Sequence, residues 1–369
     1  MLLGAASGQA GEPPAGGTPG AESTRLPAAP AVPTATAVPP PEPTPEPAAT
    51  PTAVPTPEPA PVFPVYYRPE YALATFSFET TRKAVWVADS LSAAGFDGLQ
   101  LVPPEPLGEA DILSIHDPGY VTAVRTGQPR WMAETQGFRW DPGLWPMVLA
   151  SNGGMVTAAL AALQTGLAGS LSSGLHHARR ARGNGYCTFN GLVLAARAAL
   201  AAGARNVLIL DLDAHCGGGT SELVANHPNI WIVDVAVNAF DRYAPIGHNT
   251  LDVVGAARQY LPALRSRLEA LPNRAPRFDL CLYNAGMDPH QYCPIGGLAG
   301  VDGAVLQDRE AIVFEWARQK GLPIAFSLAG GYLGPSLTQR GLTDLHRLTL
   351  AAAAQSAAVL RPRPLAPSV

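Results

Sequence analysis

Residues 206–212 read Asn-Val-Leu-Ile-Leu-Asp-Leu, an apolar run with no polar alternation, and three runs of the same kind follow at 229–235, 279–283 and 323–328. Each is short and bounded by turn formers, so each reads as a strand covered on both faces. Stretches with helical spacing lie around and between them, at 80–94, 145–166, 189–202, 256–270, 302–320 and 335–360. Strands alternating with helices bury both strand faces when the sheet is mainly parallel and helices pack on either side. The expected fold is therefore α/β: one open, mainly parallel sheet flanked by helices on both faces. There is no internal repeat and a single break in composition, so the periodic part reads as one domain.

That break falls near residue 62. Before residue 65 stand 18 of the 38 prolines, interleaved with Ala, Thr and Glu. Such a segment cannot bury enough apolar surface to offset its ordering entropy, so residues 1–62 are expected to be disordered, with polyproline II stretches. The segment carries five glutamates against Arg25, which accounts for the whole net charge of −4 and leaves the remainder balanced at 24 basic and 24 acidic residues. A neutral body has no electrostatic footprint for nucleic acid or an anionic membrane surface. No run of about 18 apolar residues free of charges and turn formers occurs, which argues against a membrane span. Met1-Leu2-Leu3 has neither a basic segment nor an apolar core behind it, so the expected location is the cytoplasm. Export or envelope tethering stays open if translation starts upstream. Cys187, Cys216, Cys281 and Cys293 show no paired spacing and do not read as a disulfide framework.

The polar residues of chemical interest sit where strands end. Asp211, Asp213 and His215 close the run at 206–212, Asp288 follows the run at 279–283, and Tyr332 follows the run at 323–328. In open α/β sheets the ligand crevice lies beyond the carboxyl ends of the strands, so three strand ends would deliver these groups to one place. His176 and His177 precede a Gly-Asn-Gly turn at 183–185 and could reach the same face. Two carboxylates and an imidazole are the ligand pattern of a catalytic divalent metal with an open position. Adjacent histidines supply a general base and an electrostatic partner, and a tyrosine after Gly330-Gly331 could donate its hydroxyl to a polarised carbonyl oxygen. That set suits hydrolysis of an amide or ester. His116, His227, His248, His290 and His346 have no partner spacing and read as structural or surface residues. Cys216 reads as small filler.

Five segments, Gly-Leu-His-His-Ala at 174–178, Gly-Tyr-Cys-Thr-Phe-Asn at 185–190, Leu-Asp-Leu-Asp-Ala-His at 210–215, Asn-Ala-Gly-Met-Asp at 284–288 and Leu-Ala-Gly-Gly-Tyr at 328–332, occur in an order that resembles the histone deacetylase superfamily. The superfamily includes acetylpolyamine amidohydrolases and acetoin-utilisation proteins, and the likeness runs from about residue 72 to 350. The resemblance implies a deacetylase-like domain over residues 63–369 that removes an acetyl or other acyl group from an amine. It implies Zn2+ held by Asp213, His215 and Asp288, with His177 as general base and His176 as its electrostatic partner, held by Asp211. Tyr332 would donate to the carbonyl oxygen, and the Gly185 carbonyl and Tyr186 ring would line the acyl channel. The implied partner is a small-molecule or peptide acyl-amine; oligomeric state stays open.

One departure bears on the chemistry. Family members usually carry an acid or amide at the position of Gly218, where it orients the base; here the run after His215 is Cys-Gly-Gly-Gly. The expectation is a base that lacks its carboxylate, with Gly218 kept because its backbone requires a positive φ. A non-catalytic zinc-binding sensor of the same fold draws its only support from this glycine. An arginase-like ureohydrolase would need Asp-x-His-x-Asp, and the fifth position is Gly217.

Overall fold

The computed structural model describes residues 62–274, 276–357 and 360. The proline-rich segment expected to be disordered lies outside them, apart from Val62. In chain order the elements are β1 (Phe63–Tyr66), α1 (Glu79–Ala94), β2 (Leu99–Val102), α2 (Glu109–Leu113), α3 (Pro118–Thr126), α4 (Arg130–Ala133), α5 (Leu144–Thr165) and β3 (Leu167–Ser170). They continue with α6 (Gly191–Ala201), β4 (Val207–Asp211), α7 (Gly218–Val224), β5 (Ile230–Ala236), β6 (Thr250–Val253), α8 (Ala257–Arg274), β7 (Leu280–Gly286), α9 (Gly303–Lys320), β8 (Ile324–Ala329) and α10 (Gln339–Ala357).

The eight strands form one open sheet in the order β2-β1-β3-β8-β7-β4-β5-β6, and every pairing is parallel. The four expected apolar runs are β4, β5, β7 and β8. Their residues alternate between two cores, as the pleat requires. Leu208 and Leu210 of β4 and Cys281 and Tyr283 of β7 face the core built with α8, α9 and α10, whereas Val207, Ile209, Leu280 and Leu282 face the core built with α5 and α6. Helices thus cover both faces, as the sequence implied.

The four remaining strands are four residues each and gave weaker signals. β3 reads Leu-Ala-Gly-Ser, and its glycine is there because the Phe326 ring of neighbouring β8 fills the place of a side chain: a Cβ on Gly169 would stand 2.1 Å from that ring. β6 lies at the sheet edge and is only half-buried, so it lacks the apolar run of the central strands. Among the described residues one helix, α5, is long and apolar enough to cross a membrane by length and composition, but two thirds of its most apolar stretch is buried against the sheet and α6. Its apolar surface is core.

Candidate active site

Four adjacent central strands, β3, β8, β7 and β4, end at the same edge. The loop after β3 carries His176 and His177, β4 ends in Asp211 and leads to Asp213 and His215, β7 leads to Asp288, and β8 leads to Tyr332. The parallel order therefore brings together all the groups that the sequence places at strand ends, and adds the two histidines from a fourth strand. Beneath them, Arg309 of α9 donates to the carbonyl oxygens of Leu212, at 3.3 Å, and Gly286, at 2.5 Å, which ties the ends of β4 and β7 to each other.

Asp213, His215 and Asp288 present one ligand atom each within 4.8 Å of one another, all buried. His215 Nδ1 lies 3.1 Å from Asp213 Oδ1 and 3.1 Å from Asp288 Oδ2. Asp288 Oδ1 accepts from the Ala214 amide at 3.0 Å, but Oδ2 is buried without a hydrogen bond. A buried orphan carboxylate oxygen facing a second carboxylate and an imidazole is a donor set that a divalent cation would satisfy. The electrostatics agree. Burial and the neighbouring Asp213 push the Asp288 carboxyl up to about 6, while Asp213, despite its burial, is held well below the usual carboxylate range by His176 and His215. A left-handed turn at Gly330, with φ +56°, makes room for Asp288: a Cβ there would stand 2.2 Å from its Oδ1.

The histidine pair stacks beside this set with ring centroids 3.9 Å apart. His176 Nδ1 meets Asp211 Oδ2 at 2.7 Å, and the other Asp211 oxygen accepts from Asn284 Nδ2 at 2.8 Å. Burial opposes protonation of His176, but Asp211 and Asp213 outweigh it and raise the ring to about 10. His177 is shifted the other way, to about 4, by burial and by the adjacent His176. The loop is fastened by Asn190, which caps α6 through the Val193 amide and donates to the carbonyl oxygens of His176 and Ala178.

Position 218 overturns an expectation. His177 does not lack a carboxylate: its Nδ1 lies 2.9 Å from Asp241 Oδ2, supplied by the loop after β5. Nor does Gly218 require a positive φ, since it begins α7 in helical conformation. It is glycine for want of space, because a Cβ would stand 2.4 Å from the Asp241 carbonyl oxygen and 2.7 Å from its carboxyl carbon.

A cleft of about 490 Å³ opens above the centre, lined among others by His177, Gly185, Tyr186, His215, Phe240 and Tyr332. Gly185 and Tyr186 both adopt positive φ, +48° and +64°, and a Cβ on Gly185 would press into the His177 ring at 2.4 Å. The Tyr186 ring stacks on Phe78 with centroids 4.2 Å apart, and Phe240 stands edge-on to both His177 and His215. Tyr332 is almost fully buried, and burial together with Asp288 and Asp213 keeps its hydroxyl protonated far above its ordinary range.

Residues 77–346 match the histone deacetylase domain. The chain belongs to the histone deacetylase family. Its relatives include an uncharacterized protein of Picosynechococcus sp., 30% identical over 73% of this chain and 92% of that one, and histone deacetylase 2 of Arabidopsis thaliana, 28% identical over 64% of each chain. The acetylpolyamine amidohydrolase of Mycoplana ramosa is 25% identical over 43% of this chain and 56% of its own. In fold, the chain is similar to an acetylpolyamine aminohydrolase from Burkholderia pseudomallei, with a TM-score of 0.66 at 20% identity over 80% of this chain and 99% of that one.

Within this deacetylase-family site, Asp241, Arg179, Glu222, Phe240 and Phe78 escaped the sequence reading. Arg179 bridges Asp241 and Glu222. Asp241 did carry a signal, as an acidic residue a few positions beyond the end of a buried strand, but nothing in the chain order ties it to His177, 64 residues earlier. Of the five histidines set aside, His116, His290 and His346 are buried and His227 and His248 are partly exposed. Cys216 is buried filler. All four cysteines are free and buried.

Proposed function

We propose that the protein is a zinc-dependent amidohydrolase that removes an acetyl or similar short acyl group from an amine, with an acyl-lysine, an acylated polyamine or a related small molecule as substrate. The observation that carries this reading is the convergence, at the foot of one aromatic-walled cleft, of a three-donor metal set, a histidine with a free nitrogen and a tyrosine hydroxyl. Asp213, His215 and Asp288 would hold the ion. When bound, zinc supplies Lewis acidity that acidifies a water and polarises the acyl carbonyl.

The chain's own residues do the rest. The acyl group threads the cleft between Tyr186 and Phe240, whose rings exclude bulk water. His177, its Nδ1 proton directed at Asp241, has Nε2 free to take a proton from the attacking water and return it to the leaving amine as the carbon–nitrogen bond breaks. His176, kept protonated by Asp211, adds positive charge where negative charge develops. The Tyr332 hydroxyl donates to the acyl oxygen in the tetrahedral state. The sensor reading leaned on Gly218 alone, and the Asp241 carboxylate beside His177 removes that support.

Acetate release from an acetyl-lysine peptide and from an acetylpolyamine tests the proposal. The zinc-loaded parent should release acetate from at least one of them. Tyr332→Phe should keep its zinc and lose about 10²–10³-fold in kcat, as for removal of one oxyanion donor. No release by the parent, or an unchanged kcat in Tyr332→Phe, would overturn it.

A further inference from the structure

We propose that Asp241, reaching in from the loop after β5, is the positioning residue that fixes the ring and tautomer of His177, and that it does so in place of a side chain at position 218. The inference rests on the amidohydrolase reading of the site and adds to it a residue that neither the motifs nor chain order single out.

Three observations carry it. The Asp241 side chain is 4% exposed and its Oδ2 lies 2.9 Å from His177 Nδ1, so an imidazole proton at Nδ1 has a buried acceptor and Nε2 is left bare toward the cleft. Its other oxygen is gripped by Arg179, from the same loop as the histidines, and Arg179 is itself held 2.7 Å from Glu222 Oε2 of α7. Glu222 also accepts from the Arg180 amide at 3.1 Å, so the brace is closed at both ends and the carboxylate cannot swing away from the ring. Finally, the space for a side chain at 218 is filled by Asp241 itself, carbonyl oxygen and carboxyl group together. Glycine at 218 and aspartate at 241 are therefore sterically linked: a side chain at 218 would displace the carboxylate that meets His177.

The backbone supports the same view. Asp241 sits at φ +58°, a left-handed conformation that is unfavourable for an L-residue and that Asp tolerates better than most. Strain of this kind persists where the surroundings over-determine it. Here the same turn also delivers Phe240, which stands edge-on to the His177 ring with centroids 5.0 Å apart. One loop thus sets the wall of the cleft and the orientation of the base.

A purely structural role, in which Asp241 serves only to neutralise Arg179, predicts something different for His177, and 15N-histidine NMR on the full zinc-loaded chain separates the two. In the parent, the His177 resonances, identified by their loss in His177→Phe, should report a proton on Nδ1 in a strong hydrogen bond. Asp241→Ala should lose that signal and lower kcat on an acetyl-lysine peptide by about 10–100-fold, with KM changed by less than about twofold. Asp241→Asn, which keeps an oxygen acceptor and the side-chain volume, should retain the Nδ1 proton, move its resonance upfield and recover part of kcat. Retention of the parent Nδ1 resonance in Asp241→Ala would overturn the proposal, as would a parent-like resonance in Asp241→Asn should the alanine variant fail to fold. If the parent itself releases no acetate, the reading of the reaction fails for that substrate while the NMR comparison still decides the role of Asp241.

Discussion

His116 shows how a single neutral ring can hold two pieces of the site. Its Nδ1 lies 2.9 Å from the Arg179 carbonyl oxygen and its Nε2 accepts from the Asn190 amide at 3.1 Å, which fixes the Nδ1-protonated tautomer. Protonating Nε2 would set a charge against an N–H donor in a buried place, and burial lowers the ring to about 4. The sign of the linkage follows. Below about pH 6.5 the unfolded chain takes up a proton at this residue that the folded chain refuses until about pH 4, so stability is full above pH 6.5 and falls as pH drops through that window. His116→Gln keeps one donor and one acceptor and removes the titration. Denaturant unfolding at pH 7 and pH 5 should show the parent losing about 2 kcal/mol more than the variant. Equal losses would mean that His116 titrates normally. At this scale the sequence was most informative where function crowds residues into short motifs: Asp213, His215, Asp288, His176, His177 and Tyr332 are brought together. It was least informative for Asp241 and Arg179, whose partners are set by how two loops cross above the sheet.

Among the elements, the strands that bear the candidate metal ligands depend on a helix that carries none. Arg309 of α9 is fully buried, pairs with Glu310, and also donates to the Tyr260 hydroxyl and to the carbonyl oxygens of Leu212 and Gly286. Its guanidinium thereby satisfies main-chain acceptors at the ends of β4 and β7, immediately before Asp213 and two residues before Asp288. Arg309→Met leaves Glu310 buried without its cation, takes the guanidinium donor from the Gly286 carbonyl, and leaves the Leu212 carbonyl with the Tyr260 hydroxyl at 3.4 Å. Removal of one partner from such a pair costs about 3–5 kcal/mol, and denaturant unfolding of this variant should show a loss in that range. A loss below about 1 kcal/mol would mean that the pair is incidental to the fold. The elements also explain which strands were legible. β4, β5, β7 and β8 are central and covered on both faces, which demands continuous apolar runs. β1, β2, β3 and β6 are shorter, and β2 and β6 lie at the edges, while β3 concedes a side chain to Phe326.

For the molecule as a whole, the parallel sheet explains why residues from 176 to 332 can form one site. Each crossover returns the chain to the same edge, so residues far apart in sequence accumulate at the carboxyl ends of β3, β8, β7 and β4. Fold class followed from the alternation of apolar runs and helical spacing, because that alternation has few packed solutions. Buried groups beneath the site were not foreseeable in this way. Lys83 of α1 belongs to no motif, yet it is buried with its ammonium on Ser173 Oγ at 3.0 Å, and burial lowers it to about 7. The central claim is narrower than the fold: one metal ion held by Asp213, His215 and Asp288. Elemental analysis of the purified chain, after exposure to zinc and removal of excess, measures it directly. The account predicts one zinc per chain in the parent and near zero in Asp213→Ala and Asp288→Ala, both still folded by circular dichroism. One zinc retained in both variants, or two per chain in the parent, would contradict it.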